Sequence, residues 1–212
     1  PSGMMLATAL IAASVSVSLW LPYLFQIVLL GYAVLTTAYT AAMKRMLLID
    51  VLALAGLYTI RVIAGAAATQ IDVSFWLLAF SVFFFLSLAL VKRFVELYAT
   101  EETGSQKVSG RGYRVSDTQV LAEAGIAATF SSVLVLALYI DSPEVQATYE
   151  RPYLIWLLCP IVLYLSLRIW VLARRGEMHE DPVVFILSDW RSQVMVAAGA
   201  LLVLVAALCF RL

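Results

Sequence analysis

The 212-residue chain is 63% hydrophobic and only 13% charged, with fourteen basic and fourteen acidic residues. An ordinary soluble domain is about 45–50% apolar and 25% charged, so this composition excludes a water-soluble globule and predicts an all-α, polytopic transmembrane helix bundle. Spans of about 20 residues in a lipid bilayer would use up the whole length, and residues 1–212 read as a single transmembrane domain with no separate soluble part.

In chain order, apolar runs between breakers predict seven spans, at residues 4–20, 23–42, 48–70, 74–95, 118–140, 153–173 and 192–210. The chain opens on Pro1 without the basic n-region or small-residue cleavage site of a signal peptide. Pro22 turns its predecessor away from helix and separates the first two spans, and Trp20 and Tyr23 beside it suit a membrane interface. Lys44 and Arg45 close the second span, Asp50 opens the third, and Lys92, Arg93 and Glu96 close the fourth. Residues 96–117 form the longest polar connection, which in a compact bundle is functional more often than idle. The stretch from Arg174 to Arg191 is a second such connection and contains the acidic run around His179.

Charge sets the topology. One side of the predicted bundle carries Lys44, Arg45, Lys92, Arg93, Lys107, Arg111, Arg114, Arg174, Arg175 and Arg191, and the other only Arg151 and Arg211. Loops rich in Lys and Arg stay in the cytoplasm. An integral, multi-pass protein of a bacterial inner membrane is therefore expected, with its N-terminus and active loops cytoplasmic and its C-terminus outside. An odd span count agrees with this alternation.

The chemistry-bearing residues lie on the basic side. Basic side chains bring charge-assisted hydrogen bonds to phosphate oxygens, Arg in bidentate geometry. Lys44 and Arg45, Lys92 and Arg93, and Arg111 and Arg114 could together surround a multiply charged anion, or could do no more than orient the chain. Glu96, four residues after Lys92, could hold a divalent cation against a diphosphate or form a simple surface ion pair. Two arginines fall inside apolar runs, where an ionisable group is costly and a functional candidate. Arg61 lies eleven residues after Asp50, roughly 16 Å along a helix, and calls for a lined cavity or an acidic partner. Arg168 is close enough to the basic end to snorkel, which gives it a structural role. His179 alone in an acidic loop, and Cys159 and Cys209 in apolar runs, carry no metal or disulfide pattern. P-loop, GxGxxG and HExxH motifs are absent, and no clustered basic patch suggests nucleic acid.

From Tyr39 through Lys44, Arg45, Asp50, Val51, Leu54, Ala55, Tyr58 and Arg61 to Ala64 and Gly65, the spacing resembles the central segment of UbiA-superfamily prenyltransferases. The Lys92-Arg93-x-x-Glu96 block and the Gly110 to Arg114 segment are similar to the decaprenyl-phosphate phosphoribosyltransferase-like branch. The resemblance implies a nine-helix fold of which the seven spans are helices three to nine, the chain lacking the first two. It implies a transferase using a Mg²⁺-bound diphosphate donor, such as phosphoribosyl diphosphate, and a polyprenyl phosphate or diphosphate lipid, or an aromatic acceptor. Tyr39, Lys44, Arg45, Lys92, Arg93, Arg111, Tyr113 and Arg114 would then bind substrate phosphates, Glu96 the metal, and Asp50 and Arg61 would pair with each other or brace the cavity. The family's first Asp-rich motif is absent from the chain, and its second is reduced to Glu96. From a different class, a multi-pass transporter or membrane scaffold without catalysis is the alternative reading.

Overall fold

The computed structural model of the chain describes residues 2–102, 111–149, 151–178 and 181–208. Among these residues there is no strand, because a chain crossing hydrocarbon must satisfy its backbone N–H and C=O groups within each segment. The helices are α1 (Ser2–Ser18), α2 (Tyr23–Ala41), α3 (Ile49–Thr69), α4 (Phe75–Glu102), α5 (Thr118–Ile140), α6 (Pro143–Thr148), α7 (Pro152–Ile155), α8 (Leu158–Arg174), α9 (Pro182–Ser188) and α10 (Trp190–Leu208). Short 3-10 turns, Met43–Arg45 and Val115–Asp117, precede α3 and α5.

Six of the seven expected spans are long and apolar enough to cross a membrane, and the chain is an all-α polytopic bundle. The remaining one, α1, has 17 residues, about 25 Å at 1.5 Å per residue, and falls short of the ~30 Å hydrocarbon core. Its end is set by a turn in which Trp20 and Leu21 donate to Val17 and Ser18, ahead of Pro22. Two boundaries differ from the expectation. α4 runs on to Glu102, so residues 96–102 are helical rather than loop; Glu, Leu and Ala are strong helix formers, and Leu97 is fully buried. The sixth span is broken at Trp156 and Leu157 into α7 and α8, and Pro160 is accommodated in the first turn of α8, where its missing N–H removes no helical bond.

α4 is the central helix, packed between α3 and α5 and touching α8. Its Leu88, Val91, Phe94 and Leu97 meet Val51 of α3, Leu121 of α5 and Ile169 and Trp170 of α8 in one core cluster. A second cluster at the other end joins Leu136, Ile140, Val145, Ile155 and Cys159, so Cys159 is the packing residue its apolar setting suggests. A buried polar ladder fastens the three helices: Trp170 Nε1 donates to Ser87 Oγ at 3.0 Å, Ser87 Oγ lies 2.7 Å from Thr129 Oγ1, and Thr129 donates to the Gly125 carbonyl at 3.1 Å. Gly125 is required there, since a Cβ would stand 1.9 Å from the Trp170 ring.

The topology brings the end of α2, the start of α3, the end of α4, the start of α5, the end of α8 and all of α9 to one end of the bundle. That is the end where the basic residues concentrate. Lys107, His179 and Cys209 lie outside the described residues.

Candidate functional site

At the basic end, α2, α3, α4 and the loop before α5 converge on Asp50, which has 0% exposure. Asp50 stands in the first turn of α3, where a carboxylate favours the helix dipole. Its Oδ1 accepts from the Tyr39 hydroxyl at 2.8 Å and from Arg111 Nη1 at 3.2 Å, and its Oδ2 accepts from Arg93 Nε. Arg93, with 1% exposure, reaches across to Glu96 Oε2 with Nη1 and donates to the Tyr39 hydroxyl with Nη2 at 3.3 Å. Arg111 Nε approaches the same Glu96 oxygen at 3.3 Å. Two guanidinium groups and two carboxylates thus close a ring of zero net charge, with Tyr39 bridging it. Buried charges are tolerable only when paired and hydrogen-bonded in this way.

The loop that delivers Arg111 is seated by backbone contact. A Cβ on Gly112 would lie 2.9 Å from the Arg45 carbonyl oxygen and 3.0 Å from the Leu47 nitrogen, so only glycine lets the two loops touch. Next to it, Leu48 N donates to the Tyr113 hydroxyl at 3.1 Å. Leu48 has a φ of 62°, a backbone conformation that costs a non-glycine residue energy and gathers at functional sites. Burial, with Asp50 adding to it, pushes the Tyr113 phenol above its ordinary pKa, so this hydroxyl stays protonated.

The sequence-selected residues therefore divide. Tyr39, Asp50, Arg93, Glu96 and Arg111 form the ring, and Tyr113 locks its loop. Lys44 is half-buried and Arg45 and Arg114 are exposed; none of the three has a carboxylate within ion-pair reach among the described residues. Lys92 is paired with Asp181 at 2.6 Å, with 34% and 24% of the two side chains exposed. Arg61 does not pair with Asp50. Its Nη2 donates to the Tyr32 hydroxyl at 2.7 Å, and its guanidinium lies over the Tyr32 and Tyr58 rings at 5.4 and 4.9 Å. Arg168 forms a two-pronged ion pair with Asp189 at 2.5 and 3.1 Å and donates to Ser192 Oγ at 2.9 Å, so its role is structural through a partner rather than by snorkelling. Hydrogen bonds from Arg168, reinforced by Ser192, hold the Asp189 carboxyl at about 2.

Sequence reasoning missed Asp181 and Asp189 as partners. Asp181 precedes Pro182 and accepts from Val183 N at 3.0 Å, the cap of α9; the Asp-Pro pair signals a helix start, but nothing local signals Lys92. As for a metal, no group of three His, Cys, Asp or Glu side chains stands at ligand spacing among the described residues. Asp50 and Glu96 are engaged by arginines, so this arrangement offers a divalent ion no preformed seat. A hollow of about 600 Å³ on the α5 and α8 side of α4, reached by Tyr98, Glu123 and Arg174, contains none of the ring residues.

No protein-family model matches the chain. It is similar to the uncharacterized protein y4nM of Sinorhizobium fredii, 35% identical over 191 residues, which is 89% of this chain and 37% of that protein. It is similar to the nodulation protein NoeC of Azorhizobium caulinodans, 32% identical over 171 residues, 81% of this chain and 56% of that protein. A decaprenyl-phosphate phosphoribosyltransferase of Mycolicibacterium smegmatis is 35% identical over 101 residues, 48% of this chain and 32% of the enzyme. The chain spans between about a third and about half the length of these curated relatives. Over half or less of its length it is partially homologous to proteins named decaprenyl-phosphate phosphoribosyltransferase.

Proposed function

We propose that the chain is part of an intramembrane transferase of the UbiA superfamily, one that moves a group from a diphosphate donor to a polyprenyl phosphate, with phosphoribosyl diphosphate as the favoured donor. The observation that carries this reading is the convergence of Tyr39, Asp50, Lys92, Arg93, Glu96 and Arg111 at one end of three adjacent helices, in a chain partially homologous to an enzyme named for that transfer. By the excess of Lys and Arg, this end faces the cytoplasm of a bacterial inner membrane.

In the proposed reaction the bond between the donor's sugar carbon and its diphosphate breaks, and a bond forms from that carbon to an oxygen of the lipid phosphate. The attacking oxygen is already anionic, so the step needs no general base. Developing positive charge at the carbon and negative charge on the leaving diphosphate call for fixed cations around the latter. Lys44, Arg45 and Arg114 supply them without giving up a carboxylate partner, and Lys92 does so by exchanging Asp181 for phosphate oxygens. Arg93 and Arg111 act by holding the ring: their charge is spent on Asp50 and Glu96, and they fix the helices that present the lysines. Mg²⁺, which prefers phosphate oxygens and water with one or two carboxylates, would be held chiefly by the diphosphate, and Glu96, with 31% of its side chain exposed, is the ring carboxylate that would add to it.

Transfer of labelled ribosyl phosphate into solvent-extractable lipid tests this in the intact protein. Lys44→Ala and Lys92→Ala are each expected to lower turnover roughly 10²–10³-fold, the loss typical of removing one preorganised stabilising group, with unfolding temperature close to the parent's. Normal turnover in both variants would remove the proposed site.

A further inference from the structure

A groove lies away from the ring, on the outer face of α8 and the start of α10, and its reading is independent of the transferase proposal. The groove, of about 460 Å³, is bounded by Arg175 and Arg191 at its mouth and by Leu167 and Val171 along its wall, ending at Tyr164. From Arg175 back to Tyr164 is eleven residues, roughly 16 Å of helix, which matches one leaflet of a ~30 Å hydrocarbon core. Val171 and Tyr164 are 48% and 47% exposed, open to lipid along that length. Arg168 forms the floor, but its charge is already committed to Asp189.

The mouth keeps a surplus of positive charge. Arg191 has no carboxylate within ion-pair reach among the described residues, and its guanidinium stacks over Trp190 at 5.5 Å; Trp is the residue of the membrane interface. Glu177 also lines the groove and meets Arg175 only at 4.0 Å, with both side chains more than half exposed; such a pair contributes little, and two arginines against one carboxylate leave the mouth positive. Basic pockets between transmembrane helices at a membrane surface suit anionic lipid headgroups.

We infer that this groove seats an anionic glycerophospholipid, its phosphate between Arg175 and Arg191 and one acyl chain against Leu167 and Val171. The charge of the mouth selects an anionic over a zwitterionic headgroup, and the apolar wall selects a lipid over free phosphate. The test is native mass spectrometry of the intact protein released from detergent, with phosphatidylglycerol, phosphatidylcholine and inorganic phosphate as probes. Phosphatidylglycerol should be retained on the order of tenfold over phosphatidylcholine, since each basic side chain near a lipid surface contributes about a fivefold preference and Glu177 offsets part of the pair's effect, and inorganic phosphate should not compete. Arg175→Gln with Arg191→Gln should abolish the preference, and Arg175→Lys with Arg191→Lys should keep most of it. Leu167→Trp, which fills the groove and leaves its charge, should reduce retention of both lipids. An unchanged preference in the Gln pair, equal retention of both lipids by the parent, or displacement by inorganic phosphate would each overturn the assignment.

Discussion

Asp50→Asn is the sharpest probe of the ring. The substitution keeps the side chain's shape and one acceptor oxygen for Tyr39, but removes the charge that faces Arg93 and Arg111. Arg93 then remains buried with Glu96 as its one carboxylate partner among the described residues, shared with Arg111. Breaking a buried pair by removing one partner costs about 3–5 kcal/mol. Glu96 still neutralises part of the surplus, which puts the expected loss near the lower end, about 3 kcal/mol. For a chain of this length each kcal/mol moves the midpoint by about 2–4 °C, so unfolding of the detergent-solubilised protein, followed by tryptophan fluorescence, should fall by about 6–12 °C. Asp50→Asn with Arg93→Met should recover much of the loss, because an apolar replacement of a buried pair is often neutral. A shift below about 2 °C in the single variant, or a double variant whose loss equals the sum of the two single losses, would refute the ring as a coupled buried unit.

Other expectations follow from the same geometry. Gly112→Ala must push apart backbone at Arg45 and Leu47, so it should withdraw Arg111 and cut transfer at least as much as Arg111→Ala, measured as lipid-linked product. Gly125→Ala collides with the Trp170 ring; overpacking costs about 1–3 kcal/mol, and the paired change Gly125→Ala with Trp170→Phe should relieve part of the loss of thermal stability. The Arg168–Asp189 pair gives a pH signature. Because the folded pKa of Asp189 is lowered from 3.8 to about 2, its contribution is present above the unfolded value and lost as pH falls through about 2. Discounted for nearby water, it amounts to about 1 kcal/mol. Asp189→Asn should therefore lower the unfolding temperature at pH 7 and make the stability profile between pH 4 and about 2 flatter than the parent's.

The spans were legible because lipid imposes one rule on every residue of a crossing segment, and the one that fell short, α1, is also the run ended by Pro22. The overrun of α4 was not legible. Polarity marks where a helix leaves the membrane, whereas Leu97, buried beyond that point, shows where packing carries it on. The site divides along the same line. Tyr39, Asp50, Arg93, Glu96 and Arg111 could be named from composition, spacing and resemblance, but not their ring, since its bonded partners lie up to 61 positions apart, as Arg111 and Asp50 do.

That ring changes the meaning of the basic residues. A loop rich in Lys and Arg serves topology whether its charges are free or paired, so the sequence treats Lys44, Lys92, Arg93 and Arg111 alike. Burial separates them. Arg93 has been taken out of water, and its pairing with Asp50 and Glu96 makes that tolerable; a phosphate that captured it would leave both carboxylates to Arg111 alone. Lys92 is only a third exposed but has a single carboxylate to exchange, on the first residue ahead of a short helix. Lys44 and Arg45, on a 3-10 turn with no carboxylate partner among the described residues, have none to exchange. Anion binding should then weaken most for Lys44 and Lys92 variants, while Arg93 and Arg111 variants should lose thermal stability before, and in proportion to, any loss of binding.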